Sequence, residues 1–505
     1  MKSQITHECK KVNPMKKVFN IKFSSIKLEK LINRSGLGEV WEGFCGDVKS
    51  AIRIADWDSS SSTTNHDDLQ SEVSELCKIS SPNITLFLGA CQHNNKVYIC
   101  SEYSSQNLST YLSTTRMTLT HRLELAHGAA LGMRWLHSTK LGPHSTGTVH
   151  RHVKTSSFLI FEAEEVKVCD FGLSSYWTAP AATSKDLYNQ LWTAPEVRAE
   201  RSGFTLASDV YSFGLVLLHV LTLRDPGTGA VEIPGTTPPP LRALIEACTG
   251  EDPAKRPKFD EITRRLKDII FELTFPDPEV REWWNTSFDG ESEVSWDAFV
   301  SKYNMINRAI GTPDNNQNNN NNNNNNNNDD DVCADDVKGS EEEEKEEEEE
   351  EAKKKGLEYL NELICVSGNV KMSKFGDVVD RLCGGRGEWR KVGTIALEYF
   401  RKPWFHGYLS ENLSVGFLGN CSHPGAFLIR FSSSTRRAFV VSYKDGASDI
   451  KHAKIMRVDG RFEYDGRLYG SLDEVVERNN KLFKHPIPYI ATNLSRNEND
   501  KILNY

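Results

Sequence analysis

From about Thr312 to Lys355 the chain carries almost nothing that could enter a core. Asn315 to Asn328 is an almost pure Asn tract, and after a short acidic run comes EEEEKEEEEEEAKKK. Neither stretch can bury enough apolar surface to offset its ordering entropy, so a disordered insert is expected over 312–355. A solvated spacer is the plainest use of so much like charge. The chain has 505 residues, 38% of them hydrophobic, which is too long for one core, so two or three domains are expected.

Composition then removes several classes of function. The formal charge of −9, much of it from the one acidic run, gives no reason to expect nucleic acid as a partner. The N-terminal residues are basic but lack the apolar core of a signal peptide, so a cytoplasmic location is expected. The longest apolar run, Phe213 to Leu223, falls well short of the roughly 20 residues that span a bilayer and suits a buried helix, so no direct membrane insertion is expected. Eleven Cys without a C-x-x-C pair read as reduced, packed thiols. His137, His144, His150 and His152 cluster in sequence, but no Cys or carboxylate recurs at ligand spacing, so no metal is expected there.

Before the insert, the most informative stretch is Val149-His150-Arg151-His152-Val153-Lys154-Thr155-Ser156-Ser157, followed by Asp170-Phe171-Gly172-Leu173. It resembles the catalytic loop and metal-binding turn of a protein kinase, H-R-D-L-x-x-x-N and then D-F-G. His152 stands at the proton-acceptor position and Ser157 at that of the second metal ligand. An imidazole, neutral or cationic near pH 7, does not reproduce a carboxylate that receives the substrate hydroxyl proton. Ser157 is a shorter and poorer ligand than Asn. Asp170 keeps the carboxylate that holds magnesium in the family, and Lys154 is retained.

The flanking motifs agree. IKLEKLINRSGLGEVWEG resembles the glycine-rich hairpin over the ATP phosphates, although only Gly38 and Val40 match, with Asn33 and Ser35 at the first two glycine positions. Side chains there obstruct the close backbone approach that phosphates need. Ser50-Ala51-Ile52-Arg53 resembles V-A-I-K, with Arg53 in place of the lysine and Ala51 in the nucleotide pocket. Lys49, on the same strand face, is a distant substitute. Glu72 falls where a helix glutamate would pair with Arg53. PNITLFLGAC is similar to the tyrosine-kinase-like branch, and Ser101 at the gatekeeper position would leave the back of the pocket open. Ala194-Pro195-Glu196, Arg256 and Asp209 match contacts that hold the large lobe together. Fold-holding residues retained beside a depleted active site are the pattern of a pseudokinase.

On either side of the insert, VREWWNTSFDGESEVSWDAFV and GLEYLNELICVSGNVKMSKFGDVVDRL read as a helical linker whose aromatics form a core. It resembles the linker that precedes the phosphotyrosine-binding module of STAT-type proteins. After it, WFHGYLSENL, GAFLIRFSSS, AFVVSYK, IKHAKI and GSLDEVVERN follow the order and spacing of a Src-homology 2 (SH2) domain, similar to the STAT group and to amoebal proteins that join a tyrosine-kinase-like domain to a C-terminal SH2 module. The resemblance implies that Arg430 meets phosphate bidentately, with Ser432 and Ser433 opening the phosphate loop and His452 and Lys454 beside the phosphotyrosine ring. A buried Arg needs an anion, and the motif itself supplies no carboxylate. Glu411 replaces an arginine common on the first helix of such domains, which is unfavourable beside a dianion unless Lys454 makes the second contact.

The expected architecture is α+β and multidomain: a tail (1–19), a two-lobed protein-kinase-like domain (20–275), a helical linker in two parts (276–311 and 356–400) around the insert, an SH2 domain with a central antiparallel sheet between two helices (401–490), and a second tail (491–505). The function implied is a phosphotyrosine-reading adaptor whose kinase-like half is a scaffold or regulator, requiring neither ATP nor magnesium. Its implied partners are tyrosine-phosphorylated proteins and an active kinase, with recruitment to membranes through phosphorylated partners. The other reading is a divergent active dual-specificity or Ser/Thr kinase, using ATP and magnesium and targeted by its SH2 domain.

Overall fold

The computed structural model describes residues 21–35, 38–56, 81–139, 147–171, 187–199, 203–227, 231–310, 335–384, 388–435, 437–446 and 449–489. It divides into two compact units, Met1–Ile270 and Phe271–Tyr505.

In the first unit, β1 (Ile26–Ser35), β2 (Gly38–Cys45), β3 (Val48–Asp56), β4 (Phe87–His93) and β5 (Lys96–Glu102) form an antiparallel sheet in the order β1-β2-β3-β5-β4. Ile52 and Ile54 of β3 enter a core with Cys91, Tyr98 and Cys100. Strand alternation therefore turns Arg53, between them, to the opposite face. A short sheet of β6 (Gln106–Asn107), β7 (Phe158–Ile160) and β8 (Val166–Val168) accompanies α1 (Leu108–Thr114), α2 (Leu119–Ser138), α3 (Leu206–Thr222), α4 (Pro239–Cys248) and α5 (Phe259–Thr274), whose residues from Phe271 on belong to the second unit.

The apolar run of α3 is a buried core helix, as expected: Phe213, Val216, Leu217 and Val220 are fully enclosed. Its start is set by a capping box in which Thr205 and Ser208 exchange side-chain to backbone hydrogen bonds. Next to it, Arg256 donates from Nη1 and Nη2 to the two carboxylate oxygens of Glu196 at 2.6 and 2.9 Å, as the A-P-E motif implied.

The second unit begins with α6 (Pro278–Phe288), β9 (Glu293–Ser295), α7 (Trp296–Ile310), α8 (Asp335–Ile364), β10 (Cys365–Val366), β11 (Asn369–Lys371), α9 (Met372–Leu382) and α10 (Val392–Phe400). The aromatic density of the linker is a core: Trp284, Phe299, Phe375 and Trp389 are all but fully buried. Gly376 lets α9 approach closely, since a Cβ there would lie 2.4 Å from Thr274 Cγ2.

Of the stretch 312–355 expected to be disordered, 312–334 lie outside the described residues, and α8 is helical from Asp335 onward. Its C-terminal turns bury Leu360, Leu363 and Ile364, and Tyr359 stacks on Phe400 with ring centroids 4.7 Å apart. Once packing has formed those turns, extending the helix costs far less than nucleating it, and Glu and Lys are good helix formers. Glu351 and Lys355 add an i,i+4 pair at 2.8 Å.

The rest of the unit is a sheet in the order β16-β15-β14-β13-β12-β17, made of β12 (Ala426–Phe431), β13 (Ala438–Asp445), β14 (Asp449–Val458), β15 (Arg461–Tyr464), β16 (Arg467–Tyr469) and β17 (His485–Pro486). It is antiparallel except for the β12–β17 pair, and it is accompanied by α11 (Glu411–Asn420) and α12 (Leu472–Arg478). Every residue of β12 is buried, which is why AFLIRF reads as one continuous run.

Replacing Arg256 by Met should destabilise the first unit by about 3–5 kcal/mol, because the Glu196 carboxylate would lose its partner. Urea unfolding followed by far-UV circular dichroism would show the shift, and a change below about 1 kcal/mol would mean that the pair is dispensable.

Candidate functional site

In the first unit, β3 presents Arg53 to the turn after β8, and its guanidinium pairs with the Asp170 carboxylate. The Arg53 side chain is 15% exposed and that of Asp170 43%. Burial by itself would raise the Asp170 pKa, but the Arg53 charge and hydrogen bond outweigh it and hold the carboxyl below its usual range.

The loop from His150 to Ser157 is fastened by α3. Asp209 accepts the His150 and Arg151 backbone N–H groups at 2.7 and 2.9 Å, the capping role implied for it. The buried His150 ring is hydrogen bonded to the Cys169 carbonyl at 2.9 Å, which ties this loop to the Asp170 turn. Burial pushes the His152 pKa down to about 4, with the nearby His150 ring and the Lys154 charge adding to the effect, so the ring is neutral at pH 7. Ser157 donates its hydroxyl to the His152 carbonyl at 2.7 Å, closing the loop on itself.

Arg53, His152, Lys154, Ser157 and Asp170 are thus brought close together. Lys49 is not part of it: it pairs with Glu42 at 2.7 Å and lies over the Tyr103 ring, so it does not substitute for the strand lysine. Gly38, at φ 102°, sits opposite Ser35, Val40 opposite Arg53, and Ala51 opposite Ser101. Glu72 and Gly172 lie outside the described residues. Asp170 is engaged by a guanidinium and Ser157 by a carbonyl, so this donor set does not fit a divalent cation, and no chemical step through one follows.

In the second unit, Arg430 lies in β12 and is 2% exposed. It is opposite Val440, which is opposite Lys454, while Ser442 is opposite His452. Cross-strand partners share a face, so Arg430, Ser432, His452 and Lys454 converge on one side of the sheet. His452 Nδ1 is hydrogen bonded to Ser442 Oγ at 2.8 Å, and Lys454 Nζ donates to Thr435 Oγ1 at 2.8 Å. Ser433 is exposed in the turn after β12.

The carboxylate that the motif itself does not supply to Arg430 comes from Glu411, the residue expected near the phosphate position. Glu411, in the first turn of α11, places an oxygen 3.7 Å from Arg430 Nη2. That is an ion pair rather than a hydrogen bond. The Glu411 side chain is 43% exposed.

Sequence reasoning missed Arg381 altogether. Its side chain, on α9, is 1% exposed and donates to the carbonyls of Ser432 at 2.9 Å and Ala438 at 2.8 Å, on either side of the turn that holds Ser433 and Thr435. An Asp377/Arg381 spacing of i,i+4 reads as a solvated helix face, and nothing local signals that the turn of a distant strand covers it.

The sequence matches the family described as protein tyrosine and serine/threonine kinase over residues 26–266 and the SH2 domain over residues 404–478. The dual specificity protein kinase shkC of Dictyostelium discoideum is 31% identical over 502 residues, 91% of this chain and 89% of its own length. The dual specificity protein kinase shkA of the same organism is 30% identical over 490 residues, 90% of this chain and 86% of its own length. The dual specificity protein kinase shkD, also from that organism, is 27% identical over 486 residues, 89% of this chain and 59% of its own length.

The His152 environment sets a pH dependence. Its folded-state pKa of about 4 lies below the ordinary value of 6.5, so between those values the unfolded chain binds the proton and the folded one does not. The stability it contributes is complete above pH 6.5 and is lost as pH falls toward 4. His152→Gln should therefore lose less stability than the wild type across that window, measured as the urea midpoint against pH; parallel curves would contradict the assignment.

Proposed function

The chain belongs to the family of SH2-bearing dual specificity protein kinases represented by these Dictyostelium relatives, and from that premise we propose that it is a phosphotyrosine-reading signalling adaptor. Its kinase-like half then serves as a catalytically impaired scaffold or regulator. The observation that carries the reading is the buried Arg430 guanidinium on the same sheet face as Ser432, His452 and Lys454. A guanidinium is planar, permanently charged and able to meet two phosphate oxygens at once. Glu411 beside it makes binding a competition, in which an incoming phosphate dianion must outbid one carboxylate.

Impaired catalysis is supported by the chemistry at the head of the cleft. If His152 took the hydroxyl proton it would become a cation in a place where burial and the Lys154 charge already oppose one. Asp170 is held by Arg53, and Ser157 is spent on its own loop. The partners proposed are tyrosine-phosphorylated proteins and the active kinase that marks them, met in the cytoplasm or at membranes through a phosphorylated partner. Among the described residues no helix is long and apolar enough to cross a membrane. The adaptor requires neither ATP nor magnesium.

The second reading is a divergent active kinase targeted by its SH2 domain, and it is favoured by the names of the relatives, which are dual specificity protein kinases. Phosphoryl transfer depends largely on positioning and charge, and losing a base removes about 10²–10⁴-fold of rate rather than all of it.

Arg430→Ala should weaken binding of the full chain to phosphotyrosine peptides at least about 30-fold, roughly 2 kcal/mol, measured by fluorescence anisotropy. Unchanged affinity would remove the adaptor reading. With radiolabelled ATP and magnesium, the purified chain should label a general protein substrate no faster than its Asp170→Asn variant does. Robust labelling that this substitution abolishes would establish the kinase reading instead.

A further inference from the structure

The turn between β12 and β13 is where a phosphate would be cradled, and its backbone is held from outside the sheet. Arg381 of α9 donates from Nη2 to the Ser432 carbonyl and from Nη1 to the Ala438 carbonyl, with Thr435 O a further 3.5 Å neighbour of Nη1. Its Nε donates to Asp377 Oδ2 at 2.7 Å, and the same oxygen accepts the Tyr408 hydroxyl at 2.5 Å. The guanidinium carbon lies 5.1 Å from the centroid of the Phe431 ring, directly after Arg430 in sequence. One turn of helix also supplies Asp380, which accepts from Arg437 Nε at 2.7 Å. In return, Arg457 of β14 donates to the carbonyls of Arg381, Leu382 and Cys383 at the end of α9.

These contacts bear on phosphate binding through the geometry of the peptide unit. A trans peptide is planar, so its carbonyl and the following N–H point in opposite directions. Drawing the Ser432 carbonyl onto Arg381 therefore sends the Ser433 amide to the other side of the turn. It also turns carbonyl oxygens away from an incoming anion and toward a cation. Thr435 in the same turn donates its N–H to Ser432 Oγ at 3.2 Å and accepts from Lys454, so the placement of that turn also sets where the Lys454 ammonium stands.

We propose that Arg381 is a positioning residue for phosphotyrosine recognition, and that the phosphate-reading unit of this chain includes α9, which lies outside the segment 404–478 matched by the SH2 family. This rests on the phosphotyrosine reading of Arg430 given above. The charge of Arg381 is not what reaches the ligand; its planar fork is what holds the turn. A lysine, with one compact ammonium, cannot span Ser432 O, Ala438 O and Asp377 at once.

The test uses the full chain and a fluorescent degenerate peptide library centred on phosphotyrosine, with the unphosphorylated library as reference. Arg381→Lys and Arg381→Met should each weaken phospho-dependent binding about tenfold or more, because the loop would have to be ordered at the moment of binding. Lys454→Ala should cost clearly less in the Arg381→Lys background than in the wild type, since the turn that places Lys454 is already lost. A purely structural role for Arg381 would instead give additive losses, and additivity would overturn the proposal. So would affinity of Arg381→Lys within about twofold of wild type. If Arg381→Met does not fold, Arg381→Lys with its charge retained decides alone. A wild-type chain that does not distinguish the two libraries would remove the phosphotyrosine reading itself, and this assignment with it.

Discussion

An arginine side chain cannot shed its proton, so each guanidinium taken out of water in this protein is a permanent cation that the surrounding chain must answer with acceptors. Arg256 is answered by both oxygens of Glu196, Arg53 by Asp170, and Arg381 by two turn carbonyls and Asp377. Arg430 is buried as well, and the Glu411 carboxylate, 43% exposed, stands 3.7 Å from its Nη2. The first three cations hold the fold together or close a site. On the phosphotyrosine reading proposed above, the Glu411 carboxylate is the anion that an incoming phosphate would displace from the fourth.

The two units use the same chemistry to opposite ends. In the first, the acceptor given to Arg53 is the Asp170 carboxylate, the group that the D-F-G resemblance associates with magnesium. The loop beside it is stiffened further by Asp209 beneath its backbone and by the Ser157 hydroxyl across it. With the His152 ring neutral, the loop is held by these three hydrogen bonds. In the second unit the charge is buried while the space before it stays polar, with Lys454 and His452 along the same face. A dianion entering there meets donors arranged in advance and gives up little to order them.

The linker takes part in that arrangement rather than merely leading to it. α9 shares the aromatic core of Trp284, Phe299 and Phe375, and its outer turn carries Asp377, Asp380 and Arg381 to the strand turn that would hold phosphate. Gly376 permits this by allowing the helix within contact of Thr274. The β12–β13 turn and the helical core are therefore packed together, and substitutions in either are felt in the other through contacts of high density.

Much of this was legible without coordinates, because it depends on local pattern. Alternation with glycine turns marks the sheet of the first unit, an unbroken apolar run marks α3, and AFLIRF marks a strand buried on both faces with one charge inside it. The identities of His152, Arg53 and Ser157 likewise follow from spacing within single motifs. What only the tertiary structure decided was which groups meet across long stretches of chain. Glu411 reaches Arg430 because α11 lies against β12, Arg381 reaches Ser432 because α9 docks beneath the turn, and Lys49 is drawn off to Glu42 because β2 and β3 pair in that register. The same holds for the Glu-rich run, whose composition argues for solvation, while its attachment to the packed end of α8 makes it a helix. Local composition sets what a segment prefers in water, but the partner that satisfies a buried charge or nucleates a helix is supplied by residues far away in sequence, and only folding brings them within reach.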